Sequence, residues 1–145
     1  MPHSYICCLV HIVFGTEKRQ PLIRETMRGR LHAYIGGIAR ENRMAAIAVG
    51  GVADHVHVLL SLPRTLSIAK AAQLLKAGSS KWLNDTFPEL RGGFAWQEGY
   101  GAFSIGISQR EKAVAYIRGQ AEHHKRVSFA DEFAKFLAAH GISEE

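Results

Sequence analysis

The sequence predicts an α+β fold of the ferredoxin-like type, in which a split β-α-β arrangement forms an antiparallel sheet with the helices on one face. Apolar, β-branched runs alternate with segments whose apolar residues recur every three or four positions, the spacing of a helix. Their order along the chain is β-α-β-β-α-β, which is the order of that fold. A further helical segment follows the last strand. This topology leaves the second face of the sheet to bind something.

The length of 145 residues predicts a single domain over residues 1–145, because a chain of this size can bury a substantial core. We expect the core to extend over about residues 1–105. A helix that carries a tyrosine, together with a tail, is expected over about residues 108–145.

The first half of the chain predicts two strands with a helix between them. The run Tyr5–Phe14 is apolar and β-prone, and the loop Gly15–Pro21 follows it. Helical periodicity extends over Leu22–Asn42. A second strand is predicted over Met44–Val52, with a tight turn or a bulge at Gly50-Gly51. The residues expected on the buried stripe of the helix are Ile23, Met27, Leu31, Tyr34, Ile35 and Ile38.

The second half predicts two more strands and three helices. The third strand extends over Asp54–Leu62, and Ser67 is the expected N-cap of a helix that ends near Phe87. A fourth strand lies within Arg91–Ile107, and a third helix begins at Ser108. The inward stripe of the second helix is expected to hold Ile68, Leu75, Trp82 and Leu83, and a short terminal helix is expected over Phe129–Ala139.

The composition favours a globular protein with an acidic partner. The formal net charge is +5, and nucleic acid is the commonest partner of a basic protein. Cys7 and Cys8 are adjacent in a predicted strand, so their side chains point to opposite faces and form a poor disulfide pair. We therefore expect reduced thiols and a cytoplasmic location. No stretch approaches the roughly 18 apolar residues of a membrane span, and no signal peptide is expected.

Two histidines, His55 and His57, interrupt the otherwise apolar third strand. Side chains two positions apart on a strand project from the same face, so the two imidazoles are expected side by side. Their ring nitrogens need partners when they are buried, and a shared metal ion would satisfy both rings. The alternative is a pair of core or edge histidines bonded to backbone carbonyls.

A second group of candidate residues lies on the predicted third helix. Tyr116 and Gln120 are four residues apart and therefore on one face, where they could supply a reactive group and a third ligand. The alternatives are a packed aromatic ring with its hydroxyl at the surface and a solvated amide. His123 and His124 are either extra ligands or surface residues near a helix end, and we favour the surface.

Three motifs in the sequence belong together: Asp54–His57, Trp96–Ser104 and Tyr116–Lys125. Together they resemble the single-tyrosine transposases of the HUH nuclease superfamily, which act on hairpin-ended insertion sequences and include the related tyrosine transposases associated with repetitive palindromes. A His-hydrophobic-His motif alone is a weak signal, but a tyrosine followed four residues later by Gln on a later helix makes it strong. The resemblance covers nearly the whole chain, although Gly119 stands where the family more often carries Asn.

This resemblance implies a transposase that cleaves and rejoins single-stranded DNA at hairpin-bearing ends through a 5′-phosphotyrosine intermediate. By position, His55 and His57 would bind a divalent metal, Mg²⁺ or Mn²⁺, and Gln120 would be the third protein ligand. Tyr116 would be the nucleophile. No nucleotide cofactor is expected. The alternative is a domesticated or non-catalytic hairpin DNA-binding protein of the same fold.

The partners that follow are single-stranded DNA with hairpins and a second copy of the chain. A homodimer is expected because one chain offers one such tyrosine, whereas two DNA ends must be cut and joined. We expect no association with a membrane and a location at the nucleoid of a bacterial or archaeal cell. The residues expected to contact DNA are His11, Lys18, Arg19, Lys76, Ser79, Ser80 and Lys81.

Overall fold

A computed structural model describes residues 4–143 of the chain. The elements that concern the site are strands β1 (Leu9–Gly15), β2 (Ala45–Val52), β3 (His55–Ser61) and β4 (Gly101–Ile105), and helices α1 (Glu25–Glu41), α2 (Ile68–Thr86), α3 (Arg110–Arg118), α4 (Gln120–His123) and α5 (Phe129–Ala139). Within residues 4–143, no helix combines the length and the hydropathy that crossing a membrane requires.

The four strands form one sheet in the order β2-β3-β1-β4, and every pair of neighbours is antiparallel. Strands β1 and β2 both pair with β3, so they run in the same direction with β3 inserted between them. This is the split β-α-β arrangement, and the predicted fold class is confirmed.

One face of the sheet packs against α1 and α2 and forms the larger core. Alternate residues of β1 and β3 point to this side, as the two-residue period of a strand requires. The buried members from the strands are Val10, Ile12, Phe14, Val56, Val58 and Leu60, and those from the helices include Met27, Leu31, Ile35, Leu75 and Leu83. The predicted buried stripes are therefore largely confirmed.

The prediction of burial is wrong for two residues of these stripes. Tyr34 is 38% exposed and Ile68 is 39% exposed. Tyr34 precedes the fully buried Ile35, and its side chain points about 100° away from that of Ile35 around the helix, so it lies at the edge of the buried stripe. Instead the Tyr34 ring stacks on Trp82 of α2 at a centroid distance of 4.6 Å. Ile68 is the first residue of α2, at the edge of the packed region.

Helices α3, α4 and α5 cover the second face of the sheet. Ile117 of α3 packs on Leu59, and Phe129 of α5 packs on Val13 and Phe103. The predicted third helix is interrupted, because Gly119 leaves the helical conformation at φ −89° and ψ 13° and separates α3 from α4. The terminal helix has the predicted bounds.

The glycine pair in β2 is neither the turn nor the bulge of that strand. The register shift lies between Ala46 and Ala48, and the chain turns after Val52. Gly50 instead lets α3 approach the sheet, since a Cβ at this position would lie 2.0 Å from the carbonyl oxygen of Ile117. The close contact of α3 with the sheet therefore depends on glycine at this position.

The remaining boundaries lie close to the predicted ones. Strand β1 begins at Leu9 and not at Tyr5, which is 97% exposed. Ser67 caps α2 as predicted, because its hydroxyl accepts a hydrogen bond of 3.0 Å from the backbone N–H of Lys70.

Candidate functional site

Three histidines lie together on the face of the sheet that α3, α4 and α5 cover. His55 and His57 of β3 are fully buried and project from the same face, as their spacing predicts. His11 of β1 is also buried, and its Nε2 lies 2.7 Å from Nδ1 of His57. The alternative of histidines bonded to backbone carbonyls does not hold for His55 and His57, because side chains surround their ring nitrogens.

Tyr116 and Gln120 reach these histidines from the two sides of the break at Gly119. The Tyr116 and His57 rings lie 5.7 Å apart between centroids, and Oε1 of Gln120 lies 3.0 Å from Nε2 of His55. The phenol, the amide and the imidazoles therefore meet within one chain in this structure.

Glu132 of α5 lies at the centre of the cluster and is 2% exposed. Its Oε1 lies 2.9 Å from Nε2 of His57 and 3.3 Å from Nε2 of His55. Its Oε2 accepts hydrogen bonds from the Tyr116 hydroxyl and, at 3.1 Å, from Nε2 of Gln120. Glu132 was not among the predicted site residues.

A signal for Glu132 is nevertheless present in the sequence. Helix α5 buries a stripe that includes Phe129, Phe133 and Phe136. Glu132 lies three residues after Phe129 and four before Phe136, so it falls within that apolar stripe. A carboxylate on the buried face of a helix is expensive without partners, and it indicates a buried polar site.

His124 is not the surface residue that the sequence analysis favours. Its side chain is 8% exposed, and its Nε2 lies 3.2 Å from Oε1 of Glu132. The neighbouring His123 is half-buried, with Nε2 at 3.3 Å from the Tyr116 hydroxyl. The turn after α4 points both rings towards Glu132.

The buried position shifts the pKa values of the central groups. Burial raises the pKa of Glu132, but hydrogen bonds from His55, His57 and Tyr116 outweigh it and hold this pKa well below its usual range. Burial lowers the pKa of His55, but its bonds to Asp54 and Glu132 outweigh this and raise it. Burial lowers the pKa of His57. The carboxylate is therefore ionised and holds the surrounding donors.

Tyr116 is in an environment that disfavours its phenolate. Burial and the adjacent carboxylate of Glu132 both raise the pKa of Tyr116 above its ordinary value. A phenol attacks as its anion, so this site needs an additional positive charge before Tyr116 can act as a nucleophile.

The donor set fits a divalent cation. Ligand atoms of four residues lie within 4.8 Å of one another, and the four are His55, His57, His124 and Glu132. Nδ1 of His55 lies 2.8 Å from the Asp54 carboxylate, so in the neutral ring Nδ1 carries the proton and Nε2 is the nitrogen that can act as a ligand, 3.0 Å from the amide oxygen of Gln120. Acceptors that face one another inside a protein are stabilised by a cation between them.

The predicted DNA contacts fall into two groups. His11 and Ser79 are buried, and the Ser79 hydroxyl accepts a hydrogen bond from the Trp96 indole, so neither side chain is available to DNA in this conformation. Ser80 is half-buried. Lys76 donates to the carbonyl oxygens of Gln97 and Gly99, each at 2.7 Å.

The remaining basic candidates are exposed. Lys81 pairs with Asp85 across one helical turn at 2.7 Å. Lys18 and Arg19 follow β1, and Arg19 lies over the ring of Phe129, 5.6 Å from its centroid. Phe129 in turn stacks on His55 with centroids 4.1 Å apart. Among the exposed basic candidates, Arg19 is therefore connected to His55 through the ring of Phe129.

A cavity of about 280 Å³ opens beside the phenol. Tyr116, His123 and Glu132 form its inner wall, and Phe136 and His140 of the α5 region line its outer part. The hydroxyl of Tyr116 is thus adjacent to an open space, whereas His55 and His57 lie behind it and are fully buried.

Comparisons with known proteins agree on one family. A sequence model of the IS200-like transposases matches residues 4–120. The chain is 28% identical over 133 residues to the transposase of the insertion sequence IS200 of Salmonella typhimurium, with 86% of this chain and 84% of that protein covered. It is 25% identical over 114 residues to the ISDra2 transposase of Deinococcus radiodurans, with coverages of 76% and 81%.

Two solved structures share the fold. A crystal structure of a Deinococcus radiodurans chain assigned as a transposase superposes with a TM-score of 0.67 at 23% identity, covering 81% of this chain and 94% of that one. A tyrosine transposase associated with REP sequences, solved bound to a REP hairpin, superposes with a TM-score of 0.63 at 17% identity, with coverages of 88% and 74%.

Proposed function

Because the chain belongs to the family of IS200-like transposases, we propose that it cleaves and rejoins single-stranded DNA at hairpin-bearing ends. Tyr116 is the proposed nucleophile, and His55, His57 and Gln120 are the proposed ligands of Mg²⁺ or Mn²⁺. The observation that carries this proposal is the convergence of the phenol, the two imidazoles and the amide oxygen on one buried centre.

A divalent cation bound there would neutralise the phosphate charge that repels nucleophiles and would favour the phenolate. The chain's own residues orient the reacting groups. Nε2 of His11 bonds to Nδ1 of His57 and so orients the His57 ring. The Asp54 carboxylate bonds to Nδ1 of His55 and orients the His55 ring. Glu132 accepts the hydroxyl proton of Tyr116 in a hydrogen bond and so fixes the direction of the phenolic oxygen.

In the proposed reaction the Tyr116 oxygen attacks the phosphorus, and the bond between phosphorus and the 3′ oxygen breaks. The phenol loses its proton, and the departing 3′ oxygen gains one, so the charge balances. The products are a 5′-phosphotyrosine and a free 3′-hydroxyl. Because the phosphoester bond is retained on Tyr116, a later 3′-hydroxyl can reverse the step on another strand without a nucleotide cofactor.

The proposed substrate and assembly follow from the relatives and from counting. A structural relative is bound to a hairpin, which supports DNA hairpins as the ligand of this chain. Exposed Lys18, Arg19 and Lys81 are proposed to bind phosphates. We propose a homodimer, because two ends must be cut and joined and each chain supplies one tyrosine at such a centre.

A covalent adduct tests the proposal directly. The protein is incubated with single-stranded hairpin oligonucleotides taken from the DNA that flanks its coding sequence, in the presence of Mn²⁺. A protein–DNA band that survives denaturation is expected for the wild type, and it is lost with EDTA and in Tyr116→Phe. The matched control is Tyr34→Phe, which removes a half-exposed hydroxyl on the far side of the sheet and should leave the band unchanged.

A non-catalytic hairpin-binding protein is the second candidate, and one observation favours it. His55, His57 and Glu132 are almost fully buried, so a phosphodiester cannot reach them in this conformation. Hairpin binding with no covalent band from any strand would support this alternative. We expect His57→Ala to abolish the band while leaving hairpin affinity within about tenfold, since phosphate contacts supply most of the binding.

A further inference from the structure

We propose that His124 and Glu132 are additional ligands of the divalent cation. This inference rests on the proposed function, because it concerns the cation at the same centre. Both residues lie after residue 120, where the match to the family ends. The site would therefore be completed by the segment that leads from α4 into α5.

The His124 ring is held so that one nitrogen faces the centre with a lone pair. Its Nδ1 lies 2.5 Å from the carbonyl oxygen of Val127, and because a carbonyl only accepts, Nδ1 carries the proton. The opposite nitrogen, Nε2, is buried and has no hydrogen-bond partner among residues 4–143. It lies 3.2 Å from Oε1 of Glu132 without the geometry of a hydrogen bond. A lone pair in this position is the arrangement of a metal ligand.

Two further groups at the centre, the neutral ring of His55 and the amide oxygen of Gln120, can also act as ligands. Nε2 of His55 lies 3.3 Å from Oε1 of Glu132, and Nδ1 of His55 gives its proton to Asp54. Gln120 donates its amide N–H to Oε2 of Glu132, and this bond turns Oε1 of Gln120 towards His55. A proton on one imidazole would satisfy one of these contacts, whereas a cation at the centre satisfies all of them.

The spacing of the acceptors matches a common coordination shell. Oε1 of Glu132 lies 2.9, 3.3 and 3.2 Å from Nε2 of His57, His55 and His124. Two ligands that are each about 2.1–2.2 Å from one ion and at right angles to each other are about 3 Å apart. Each of the three nitrogens therefore has, from the carboxylate oxygen, the separation of a neighbouring ligand, and all four atoms lie within 4.8 Å of one another.

A competing role for Glu132 predicts the opposite change in cation affinity when its charge is removed. If its carboxylate took the place of the cation and paired with protonated imidazoles, removing its charge would make cation binding tighter. As a ligand, its loss makes binding weaker. A shell of three imidazoles and two oxygens also favours Mn²⁺ over Mg²⁺, because Mg²⁺ prefers oxygen ligands and waters.

The test measures the affinity of the full chain for Mn²⁺ alone by isothermal titration calorimetry after treatment with EDTA. Glu132→Gln and His124→Ala are each expected to raise the Kd at least about tenfold. The matched controls are Glu122→Gln, whose carboxylate is 80% exposed, and His32→Ala, whose ring is on α1, the helix that packs on the opposite face of the sheet. Both controls should change the Kd less than about twofold.

Thermal unfolding in EDTA establishes that each variant is folded. Should Glu132→Gln fail to fold, Glu132→Asp keeps the charge and withdraws the oxygen by one methylene, and it should also raise the Kd about tenfold. Mn²⁺ affinity that is unchanged or tighter in the Glu132 and His124 variants, but lost in His57→Ala, would overturn this inference and leave the proposed function intact. A wild-type chain that binds no Mn²⁺ would overturn the proposed metal site itself.

Discussion

The two faces of the sheet are built from the same strands, but the buried histidines of those strands lie on one face. On the side of α1 and α2, β1 and β3 present Val10, Ile12 and Val58, and the core around them is apolar. On the other side the same strands present His11, His55 and His57, and α5 adds Glu132. The two-residue period of a strand allows this division, because neighbouring residues point to opposite faces.

The fold therefore separates the residues that stabilise it from the residues that would carry the chemistry. Burying apolar side chains stabilises the folded chain, whereas burying imidazoles and a carboxylate costs free energy unless they are paired. The apolar core under α1 and α2 should therefore account for most of the stability of the protein. The rate of the proposed reaction should depend on cation binding at the histidines and on the positions of α3 and α5.

The largest expected effect comes from opening a cavity on the apolar side. Leu31 of α1 is fully buried in that core. Leu31→Ala should lower the free energy of unfolding by about 2–5 kcal/mol, as large-to-small changes in cores do. Urea denaturation in EDTA measures the loss. In the variant that remains folded, Mn²⁺ affinity should match the wild type, and a parallel loss of affinity would argue against two separate faces.

The next effect concerns the position of α3 on the other side. Gly50→Ala would introduce a Cβ 2.0 Å from the carbonyl oxygen of Ile117, so α3 must move away from the sheet. Because Tyr116 is on that helix, the rate of covalent adduct formation should fall about 100-fold, as expected for a displacement near 1 Å. Single-turnover kinetics on the hairpin oligonucleotide measure the rate.

Gly36→Ala is the matched control for this change. Gly36 lies in α1, and a Cβ there would meet nothing within 4 Å. This variant should keep the wild-type rate and gain about 0.5–1 kcal/mol of stability from its higher helix propensity. An equal loss of activity in both variants would show that the Gly50 effect does not arise from the contact with α3.

The smallest expected effect is the pH dependence of stability that arises from His32, a histidine of α1. Burial and the charge of Arg28 lower the pKa of His32 to about 4, below its ordinary value of 6.5. The unfolded chain therefore binds this proton first as the pH falls. The free energy of unfolding is therefore undiminished by His32 above pH 6.5, and it decreases as the pH falls from 6.5 towards about 4.

Urea denaturation in EDTA at a series of pH values measures this loss. The wild type should lose stability more steeply than His32→Gln over this range, by a fraction of the roughly 1.4 kcal/mol per pH unit of one full proton, since His32 is partly exposed. Equal slopes in the two proteins would mean that His32 does not take up its proton in this range.

Local patterns in the sequence predicted much of the fold and half of the cluster. The period of two in β3 places His55 and His57 on one face, and the spacing of four brings Tyr116 and Gln120 to one side. The order of elements was sufficient for the topology. These features depend only on neighbours in the chain.

The rest of the cluster depends on contacts between distant segments. His11 joins His57 through the pairing of β1 with β3, and Glu132 reaches it only because α5 folds back over the sheet. His124 follows an interruption at Gly119 that no helical periodicity shows. The local sequence pattern predicts His124 as a surface residue near the end of a helix. The packing of α5 buries it instead, with its ring directed towards Glu132.

One divalent cation is proposed to lie between the imidazoles of β3 and the phenol of α3. A crystal grown with Mn²⁺, with anomalous data collected at the Mn edge, would locate that cation. We predict a peak about 2.2 Å from Nε2 of both His55 and His57, on the side that faces Tyr116. Active crystals that show no peak at these nitrogens, or a peak only elsewhere in the protein, would contradict the claim.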